Sequence, residues 1–370
     1  MSAFAPVALD AGSFPTLPEG WSGEGRDLAR RLYLRPLAHP AGTAPHFFEA
    51  LIRAPAATGP APRLGFAADR GRLLAWAKGE GDAVQAHVSS LVDRLSAPPG
   101  AFAGIELGQP VLMGVVNTTP DSFSDGGEAF DPAAAIARGE ALRDAGAAII
   151  DVGGESTRPG SQAIDAAEET RRVGPVISGL KAGGAVISID TRRAAVMEAA
   201  LAAGAAVIND VTALTGDPRS LEVAAQAGVP VVLMHMRGEP GTMQSDPRYD
   251  DPLLDVYDYL AARIGACVAA GIPASRLAVD PGIGFGKTVD HNLEILRRIS
   301  LYHGLGCPIV LGVSRKSFIG RLSKGEPPKA RLPGSLAVAL SAVAQGVQIL
   351  RVHDVAETRQ ALALWMAVGP

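Results

Sequence analysis

Aspartate and asparagine residues end several of the apolar runs in this sequence. Asp190, Asn209 and Asp280 each close a short stretch rich in valine, isoleucine or leucine. Carboxylates accept paired N–H donors and an amide both donates and accepts, so the three together suit a flat heterocycle with alternating amino and carbonyl edges. A single aspartate at such a position more often caps the next helix. The prediction of a heterocycle site therefore depends on the three side chains lying close together.

A second set of polar residues ends the first and the last apolar runs. Asn117 follows the first run, and Arg351 and His353 follow the last. Arginine and histidine bind a diphosphate through charge-assisted hydrogen bonds, and an asparagine oxygen suits a hard cation such as Mg2+. We therefore expect a diphosphate site with a magnesium ion here, although one such arginine or histidine alone is more often a surface residue or a helix cap.

A helix is predicted to begin directly after the seventh apolar run. Ser317 would lie at its first turn, where free N–H groups and the positive helix end favour an anion. Lys316 could reach the ring of a bound heterocycle. Because adjacent cations such as Arg315 and Lys316 are usually solvated, this interpretation rests on their placement after a strand.

A glycine-rich segment follows Asp280. It contains three glycines, Phe285 and Lys287. Glycine permits close approach of the backbone to a ligand, and Phe285 could cover a ring, but a flexible connecting loop explains the composition equally well. His235, which follows the fifth run, is interpreted as a core residue rather than a catalytic one.

Two segments are too polar in composition for a core. Thr119–Gly127 follows the first run, and Glu155–Gly160 follows the second. Each combines hydroxyl groups, charges, a proline and glycine, as an ordinary surface turn also does. Because the two segments follow consecutive runs, they suit a pair of loops that close over a substrate.

The apolar runs alternate with helix-compatible segments from Val111 to the C-terminus. The runs are Val111–Val116, Ala148–Val152, Val186–Asp190, Ala206–Asn209, Val231–Met234, Leu277–Asp280, Pro308–Gly312 and Val347–Val352. The helical segments include Pro132–Ala145, Ala166–Leu180, Arg192–Ala203, Leu253–Ala270 and Ala356–Val368. This order predicts an α/β fold, specifically a (β/α)8 TIM barrel, with a doubly wound sheet as the alternative. A barrel would bring the polar strand ends to one mouth.

The N-terminal region differs in composition and is rich in proline, glycine and alanine. Its strand-like runs are Phe47–Arg53, Arg63–Phe66 and Arg72–Lys78. Asp82–Leu95 has the apolar spacing of a helix. We predict a small N-terminal α/β appendage of unknown role over residues 1–105 and a barrel domain over residues 106–370.

Composition limits the class of protein. The chain has 370 residues, of which 47% are hydrophobic, and a net charge of -4 without a basic block, which argues against nucleic acid as a partner. Cys267 and Cys307 lie far apart, so neither a disulfide framework nor a cysteine metal site is predicted. The N-terminus lacks a basic secretory region, and no apolar stretch reaches the ~18 residues of a membrane span. We expect a cytoplasmic protein with small-molecule substrates.

Eight motifs, in this order, resemble those of the dihydropteroate synthase family. They are VVNTTPDSFSDGG, DVGGESTRPG, SIDT, IND, LMHM, DPGIGFGK, SRKSFIG and RVHD. The resemblance extends over residues 111–370 and implies a transferase of folate synthesis. Such an enzyme joins 4-aminobenzoate to 6-hydroxymethyl-7,8-dihydropterin diphosphate, and sulfonamides compete for its aminobenzoate site.

The resemblance also implies roles for individual residues. The pterin pocket would contain Asp190, Asn209, Met234, Asp280, Phe285 and Lys316. Diphosphate would be held by Asn117, Arg351 and His353, with Mg2+ on Asn117. Aminobenzoate would contact Phe123, Thr157, Arg158, Pro159 and Ser317. Asp125 would belong to the closing first loop, and the catalytic set would be Asp280, Lys316, Arg158 and Asp125.

Two other functions share part of this pattern. Corrinoid-dependent methyltransferases that bind methyltetrahydrofolate have similar pterin-binding strand ends, but they need neither the two polar loops nor the Arg351 and His353 anion site. A non-catalytic pterin-binding protein would keep the pocket without turnover. Thr118 and Arg193 depart from the usual family pattern, and we expect neither to affect the chemistry.

The last helical segments suggest an oligomer. Leu336–Ala344 and the final helix are apolar on more sides than an exposed helix should be. We expect a homodimer through this region, although packing within the barrel would also explain the pattern.

Overall fold

The chain folds into two compact units. The computed structural model describes residues 25–37, 45–54, 63–98, 100–118, 131–155, 164–239 and 241–369. The first unit comprises residues 1–98, 249–257 and 298–306, and the second comprises 99–248, 258–297 and 307–370. The first unit therefore draws on three separate stretches of the chain.

The first unit is built on an antiparallel sheet of three strands. Its elements are α1 (Gly25–Arg30), β1 (Leu32–Pro36), β2 (Phe47–Arg53), β3 (Arg63–Asp69), α2 (Arg70–Gly79) and α3 (Asp82–Ser96). The central strand is β2. Because side chains alternate along a strand, Phe48, Ala50 and Ile52 point to one face, where they share a hydrophobic core with residues of the helices.

The opposite face of this sheet packs against the two later segments of the unit. Tyr33 contacts Tyr257 edge to face, with ring centroids 5.2 Å apart. Arg63 forms a nearly buried ion pair with Asp251, with 2.9 Å between nitrogen and oxygen. Both faces of β2 are therefore covered, which explains why five consecutive residues of this strand are buried.

The predicted strand at Arg72–Lys78 is wrong, because these residues lie in α2. The Asp69 side chain caps the helix by accepting a hydrogen bond from the Arg72 backbone N–H at 2.9 Å. Leu73 and Trp76 are buried at helical spacing. The other predicted elements of this region are confirmed, namely strands at Phe47–Arg53 and Arg63–Phe66 and a helix at Asp82–Leu95.

The second unit is a closed parallel barrel preceded by a short hairpin of β4 (Ala101–Phe102) and β5 (Ile105–Glu106). The barrel strands are β6 (Val111–Asn117), β7 (Ile149–Gly153), β8 (Val186–Asp190), β9 (Val207–Asp210), β10 (Val231–Met234), β11 (Leu277–Asp280), β12 (Val310–Gly312) and β13 (Ile349–Val352). Neighbouring strands follow in chain order, and β13 pairs with β6. A parallel bridge between Val279 and Ile309 joins the two remaining edges. The predicted (β/α)8 barrel is confirmed, and the doubly wound alternative is excluded.

Helices connect the barrel strands. They are α4 (Pro132–Asp144), α5 (Ala166–Ala182), α6 (Ala194–Ala203), α7 (Ser220–Ala227), α8 (Pro252–Ala269), α9 (Val289–Arg297), α10 (Ser317–Leu322), α11 (Leu332–Val343) and α12 (Val355–Val368). Asp131 and Asp165 cap α4 and α5 with their side chains. Within the described part of the chain, none of the helices is long and apolar enough to cross a membrane.

The barrel interior explains why polar strand ends meet. Its core takes residues from the barrel strands and the hairpin, among them Phe102, Met113, Ile149, Val207, Val232, Ala278, Val310 and Ile349. A residue two positions further along a strand faces the same side. Asp151, Asn209, Met234, Asp280 and Arg351 each lie two residues beyond such a core residue. They therefore face the interior at the carboxyl-terminal mouth of the barrel.

Candidate active site

Arg351 joins two carboxylates at the barrel mouth. Its Nε donates a hydrogen bond to Asp151 at 2.6 Å, and its Nη2 donates to Asp190 at 2.7 Å. Oδ2 of Asp151, which accepts the bond from Nε, also accepts one from Asn209 Nδ2 at 3.2 Å. Side chains from β7, β8, β9 and β13 thus form one continuous network.

Burial controls the protonation of this network. Burial raises the pKa of Asp190 to about 7. The positive charge of Arg351 opposes this increase, whereas the negative charges of Asp151, Glu169 and Asp210 add to it. Burial lowers the pKa of Arg351, but the neighbouring carboxylates outweigh this effect and raise it above its ordinary value. Arg351 therefore stays charged, whereas Asp190 titrates near neutral pH.

Asp280 and Lys316 form a second part of the mouth. Asp280 is buried, and its Oδ1 accepts a hydrogen bond from the Gly282 N–H at 2.7 Å. Lys316 Nζ lies 4.7 Å from the centre of the Phe285 ring, a cation–π contact. Burial raises the pKa of Asp280, although the positive charge of Lys316 acts to lower it. Burial lowers the pKa of Lys316 to about 8. Burial therefore disfavours the charged form of both groups.

The two parts share one mouth. The charges of Arg351 and Lys316 both act on Asp280, and Met234, which is buried, pairs with Asp280 in the sheet register. The structure thus brings together all six residues that the sequence assigned to the pterin, namely Asp190, Asn209, Met234, Asp280, Phe285 and Lys316.

The residues assigned to diphosphate do not form a site separate from the pterin residues. Asn117 ends β6 at the same mouth, and His353 Nδ1 lies 3.1 Å from Ser314 Oγ just beyond β13. Arg351, however, is engaged with Asp190 and so belongs to the heterocycle network as well. Within the described residues, only its Nη1 makes no hydrogen bond and is left for an anion.

The aminobenzoate residues are only partly described. Ser317 is exposed at the first residue of α10. The remaining predicted residues of this group and of the first loop lie outside the described residues, namely Phe123, Asp125, Thr157, Arg158 and Pro159.

Asp151 is a site residue that the apolar runs of the sequence do not single out. It is fully buried, and its Oδ1 has no hydrogen-bond partner among the described residues. Through Oδ2 it orients both the Asn209 amide and the Arg351 guanidinium. It was overlooked because it lies within a predicted strand rather than at its end. Alternation from Ile149 would have identified it as facing the interior.

Arg193 connects the two ends of the segment between β7 and α5. Its Nη2 donates to Glu155 at 2.8 Å and to the Ile164 carbonyl at 2.7 Å. Its Nη1 pairs with Glu169, whose side chain is 1% exposed. Burial raises the pKa of Glu169, against hydrogen bonds from Thr191 and Arg193. Arg193, which departs from the usual family pattern, is therefore part of a buried ion-pair network.

We expect Arg193→Ala to lower the free energy of unfolding at pH 7 by about 3 kcal/mol, because removing one partner of a buried ion pair leaves the other uncompensated. The loss should shrink in acid, where Glu169 is neutral. Urea denaturation measures it. Arg171→Ala is the matched control, since Arg171 is 65% exposed and pairs with Glu168 at the surface. Equal loss in both variants would contradict the prediction.

The sequence of the barrel region matches a known family. The model of pterin binding enzymes matches residues 113–353, which is more than half of the chain. The chain belongs to the pterin-binding enzyme family. The matched range includes the residues of the Asp151, Asp190, Asn209 and Arg351 network as well as Asp280 and Lys316.

Relatives within the pterin-binding enzyme family are dihydropteroate synthases. That of Escherichia coli (strain K12) is 46% identical over 259 residues, which cover 70% of this chain and 91% of the relative. A solved structure of Xanthomonas albilineans dihydropteroate synthase with 4-aminobenzoic acid is 48% identical, with a TM-score of 0.68 and coverage of 72% of this chain and 96% of that one. Another, in complex with 7,8-dihydropteroate, is 45% identical, with a TM-score of 0.65 and coverage of 71% and 95%.

Proposed function

We propose that this protein condenses 4-aminobenzoate with (7,8-dihydropterin-6-yl)methyl diphosphate to give 7,8-dihydropteroate and diphosphate. This is the reaction of a dihydropteroate synthase, a transferase of folate biosynthesis. The observation that carries the proposal is the convergence of Asp190, Asn209, Asp280 and Lys316 on one barrel mouth. The relatives that hold 4-aminobenzoic acid or 7,8-dihydropteroate support it.

The pterin ring would lie among the buried polar side chains. Asp280 and Asp190 would accept hydrogen bonds from its N–H groups, and Asn209 would pair with an edge that both donates and accepts. Lys316 would donate to the ring carbonyl. Met234 and Phe285 would provide apolar walls on either side of these polar contacts, as binding pockets commonly do.

Diphosphate binding would release Asp190 for the pterin. We assign the diphosphate to Asn117, Arg351 and His353. In the structure Arg351 is bound by Asp190, and a diphosphate offers the guanidinium a more highly charged partner. As Arg351 turns toward the diphosphate, the Asp190 carboxylate becomes free to accept from the pterin.

Mg2+ would be held on Asn117 together with the diphosphate. The described residues contain no group of three His, Cys, Asp or Glu side chains that could hold a metal. Mg2+ is often bound by one or two protein oxygens, with substrate phosphates and waters as the other ligands, and the Asn117 amide oxygen fits this pattern. When bound, the ion would neutralise charge on the leaving group.

The aminobenzoate would lie between α10 and the two polar loops. Ser317 and the first N–H groups of α10 would receive its carboxylate. The other contacts that we assign are Phe123, Thr157, Arg158 and Pro159, with Asp125 in the closing first loop.

The bond changes need no strong base. The C–O bond between the pterin methylene and the diphosphate breaks, the amine nitrogen of 4-aminobenzoate forms the new C–N bond, and that nitrogen loses one proton to the departing diphosphate. Asp280 and Asp190 stabilise the positive charge that develops on the pterin, and Arg351 stabilises the departing diphosphate. Arg158 and Lys316 position the two substrates, and the loops exclude water.

Turnover tests the proposal directly. Purified protein supplied with the pterin diphosphate, Mg2+ and 4-aminobenzoate should release diphosphate and form 7,8-dihydropteroate, and a sulfonamide should compete with 4-aminobenzoate. Tight pterin binding without release of diphosphate would favour a non-catalytic pterin-binding protein.

The pH profile of kcat/KM for the pterin diphosphate is expected to be bell-shaped, because this quantity reports the free enzyme. It should fall as the pH drops through about 7, where Asp190 takes up a proton and stops accepting hydrogen bonds. It should also fall as the pH rises through about 8, where Lys316 loses its proton. Asp190→Asn should abolish the acid limb and Lys316→Met the alkaline limb. Persistence of both limbs in both variants would assign them to the substrates instead.

We also propose that the enzyme is a cytoplasmic homodimer. Leu322, Leu364, Met366 and Val368 are large apolar side chains exposed on α10 and α12, and apolar groups of this size are commonly covered by a partner when they form a patch. The mass of the protein in solution tests the dimer.

A further inference from the structure

Lys287 and His235 form a buried polar pair that the proposed chemistry leaves unused. Lys287 is 2% exposed. Its Nζ lies 2.8 Å from His235 Nδ1 and donates to the carbonyl oxygens of Gly282 at 2.9 Å and Phe285 at 3.2 Å. The amine thus bridges the exit of β10 and the glycine-rich loop after β11, which we define as residues 281–286.

The glycine-rich loop carries two parts of the pterin site. Its Gly282 N–H donates to Asp280 Oδ1, and Phe285 lies under the Lys316 amine. Gly282 has a φ of 67°, and a Cβ placed there would lie 1.9 Å from the His235 carbonyl oxygen. The loop backbone therefore rests directly on the exit of β10, in a conformation that suits glycine.

His235 is a fixed partner for the amine. Its ring packs edge to face on Tyr259, with centroids 4.8 Å apart, and its backbone N–H donates to the Asp280 carbonyl oxygen at 3.0 Å. Burial, together with the charges of Lys287 and Arg237, lowers the pKa of His235 to about 2, so the imidazole is neutral. Burial also lowers the pKa of Lys287.

We propose that Lys287, held by His235, is a positioning residue for the pterin. It fixes the glycine-rich loop, and the loop in turn fixes the Asp280 carboxylate and the Phe285 ring. This inference rests on the proposed function. Without the amine, two carbonyl groups and the imidazole lose their common partner and the loop can relax. Pterin binding then weakens, whereas Ser317, which we assign to 4-aminobenzoate, lies on α10.

Lys287→Met tests the proposal. The dissociation constant of the pterin diphosphate, measured by calorimetry with Mg2+, should rise about 30-fold, since the buried hydrogen bonds lost are worth a few kcal/mol. KM for 4-aminobenzoate at saturating pterin diphosphate should change less than about threefold. Lys324→Met, at an exposed lysine, is the control and should bind like the wild type.

A second pair of variants separates positioning from packing. His235→Asn keeps a polar atom near the amine, and His235→Phe keeps the aromatic contact with Tyr259 but has no polar atom. We expect the asparagine variant to stay within about threefold of the wild-type dissociation constant and the phenylalanine variant to rise about tenfold.

Three results would overturn either the positioning role of Lys287 or the function on which it rests. Wild-type pterin affinity in folded Lys287→Met would overturn the proposal. If circular dichroism finds that variant unfolded, equal affinity in His235→Asn and His235→Phe would overturn it in the same way. Failure of the wild-type protein itself to bind the pterin diphosphate would overturn the proposed function, and the inference with it.

Discussion

Asp280→Asn is expected to lower kcat/KM for the pterin diphosphate by about 1000-fold, because two charge-assisted hydrogen bonds of about 1.5–3 kcal/mol each would be lost or reversed. The asparagine amide would point an N–H group at a pterin N–H group. The variant would also lack the negative charge that stabilises the developing cation. Steady-state release of diphosphate measures the loss.

The same substitution should not destabilise the protein. Burial raises the pKa of Asp280, so the folded state disfavours the ionised form relative to the unfolded chain. This cost is largest above the folded pKa and disappears below the unfolded one. An uncharged asparagine avoids it, and its Oδ1 can still accept from the Gly282 N–H. The melting temperature at pH 7 should therefore be equal to or higher than that of the wild type.

Asp217→Asn is the matched control for this prediction. Asp217 is an aspartate of the same barrel unit, but it caps backbone N–H groups of Ala194 at 3.0 Å and Arg219 at 2.9 Å. Its replacement should leave kcat/KM unchanged. A comparable loss in both variants would point to a general effect of aspartate removal, and near-normal activity in Asp280→Asn would remove Asp280 from the site.

The barrel could be predicted because its strands are continuous apolar runs that end abruptly. Buried parallel strands contact helices outside and core side chains inside, so they need no polar residues until the mouth. The first polar side chains after each run, such as Asp190, Asn209 and Asp280, were therefore visible without a structure. Asp151 was not visible in this way, since it lies before the end of its run and reaches the mouth only through alternation.

The N-terminal unit was predicted less accurately, because the apolar residues of one segment fit either a strand or a helix. α2 is short, and its apolar residues Leu73, Trp76 and Ala77 can be read as either a strand or a helix until the Asp69 cap is considered. No composition signal marks residues 249–257 and 298–306 as parts of this unit. Such long-range packing depends on side-chain complementarity, which a linear pattern does not carry.

Deleting residues 1–98 is expected to prevent stable folding, although every residue assigned to the site would remain. Segments 249–257 and 298–306 belong to the same compact unit as the deleted residues. The deletion would remove Arg63 from the nearly buried Asp251, and breaking a buried ion pair costs about 3–5 kcal/mol. It would also remove Tyr33 from Tyr257. A domain is stable by only about 5–15 kcal/mol. Thermal unfolding and the soluble yield of residues 99–370 measure the effect.

Arg63→Ala tests the contribution of the Arg63–Asp251 ion pair in the full-length chain. It should destabilise the protein by about 3 kcal/mol, because Asp251 would lose its ion-pair partner in a nearly buried position. Arg70→Ala is the control in the same region, since Arg70 is 50% exposed and lies 3.7 Å from the exposed Asp93. If residues 99–370 alone are soluble and as active as the full chain, the N-terminal unit is an independent addition. If the fragment aggregates and Arg63→Ala is destabilised while Arg70→Ala is not, the unit is a structural part of the enzyme.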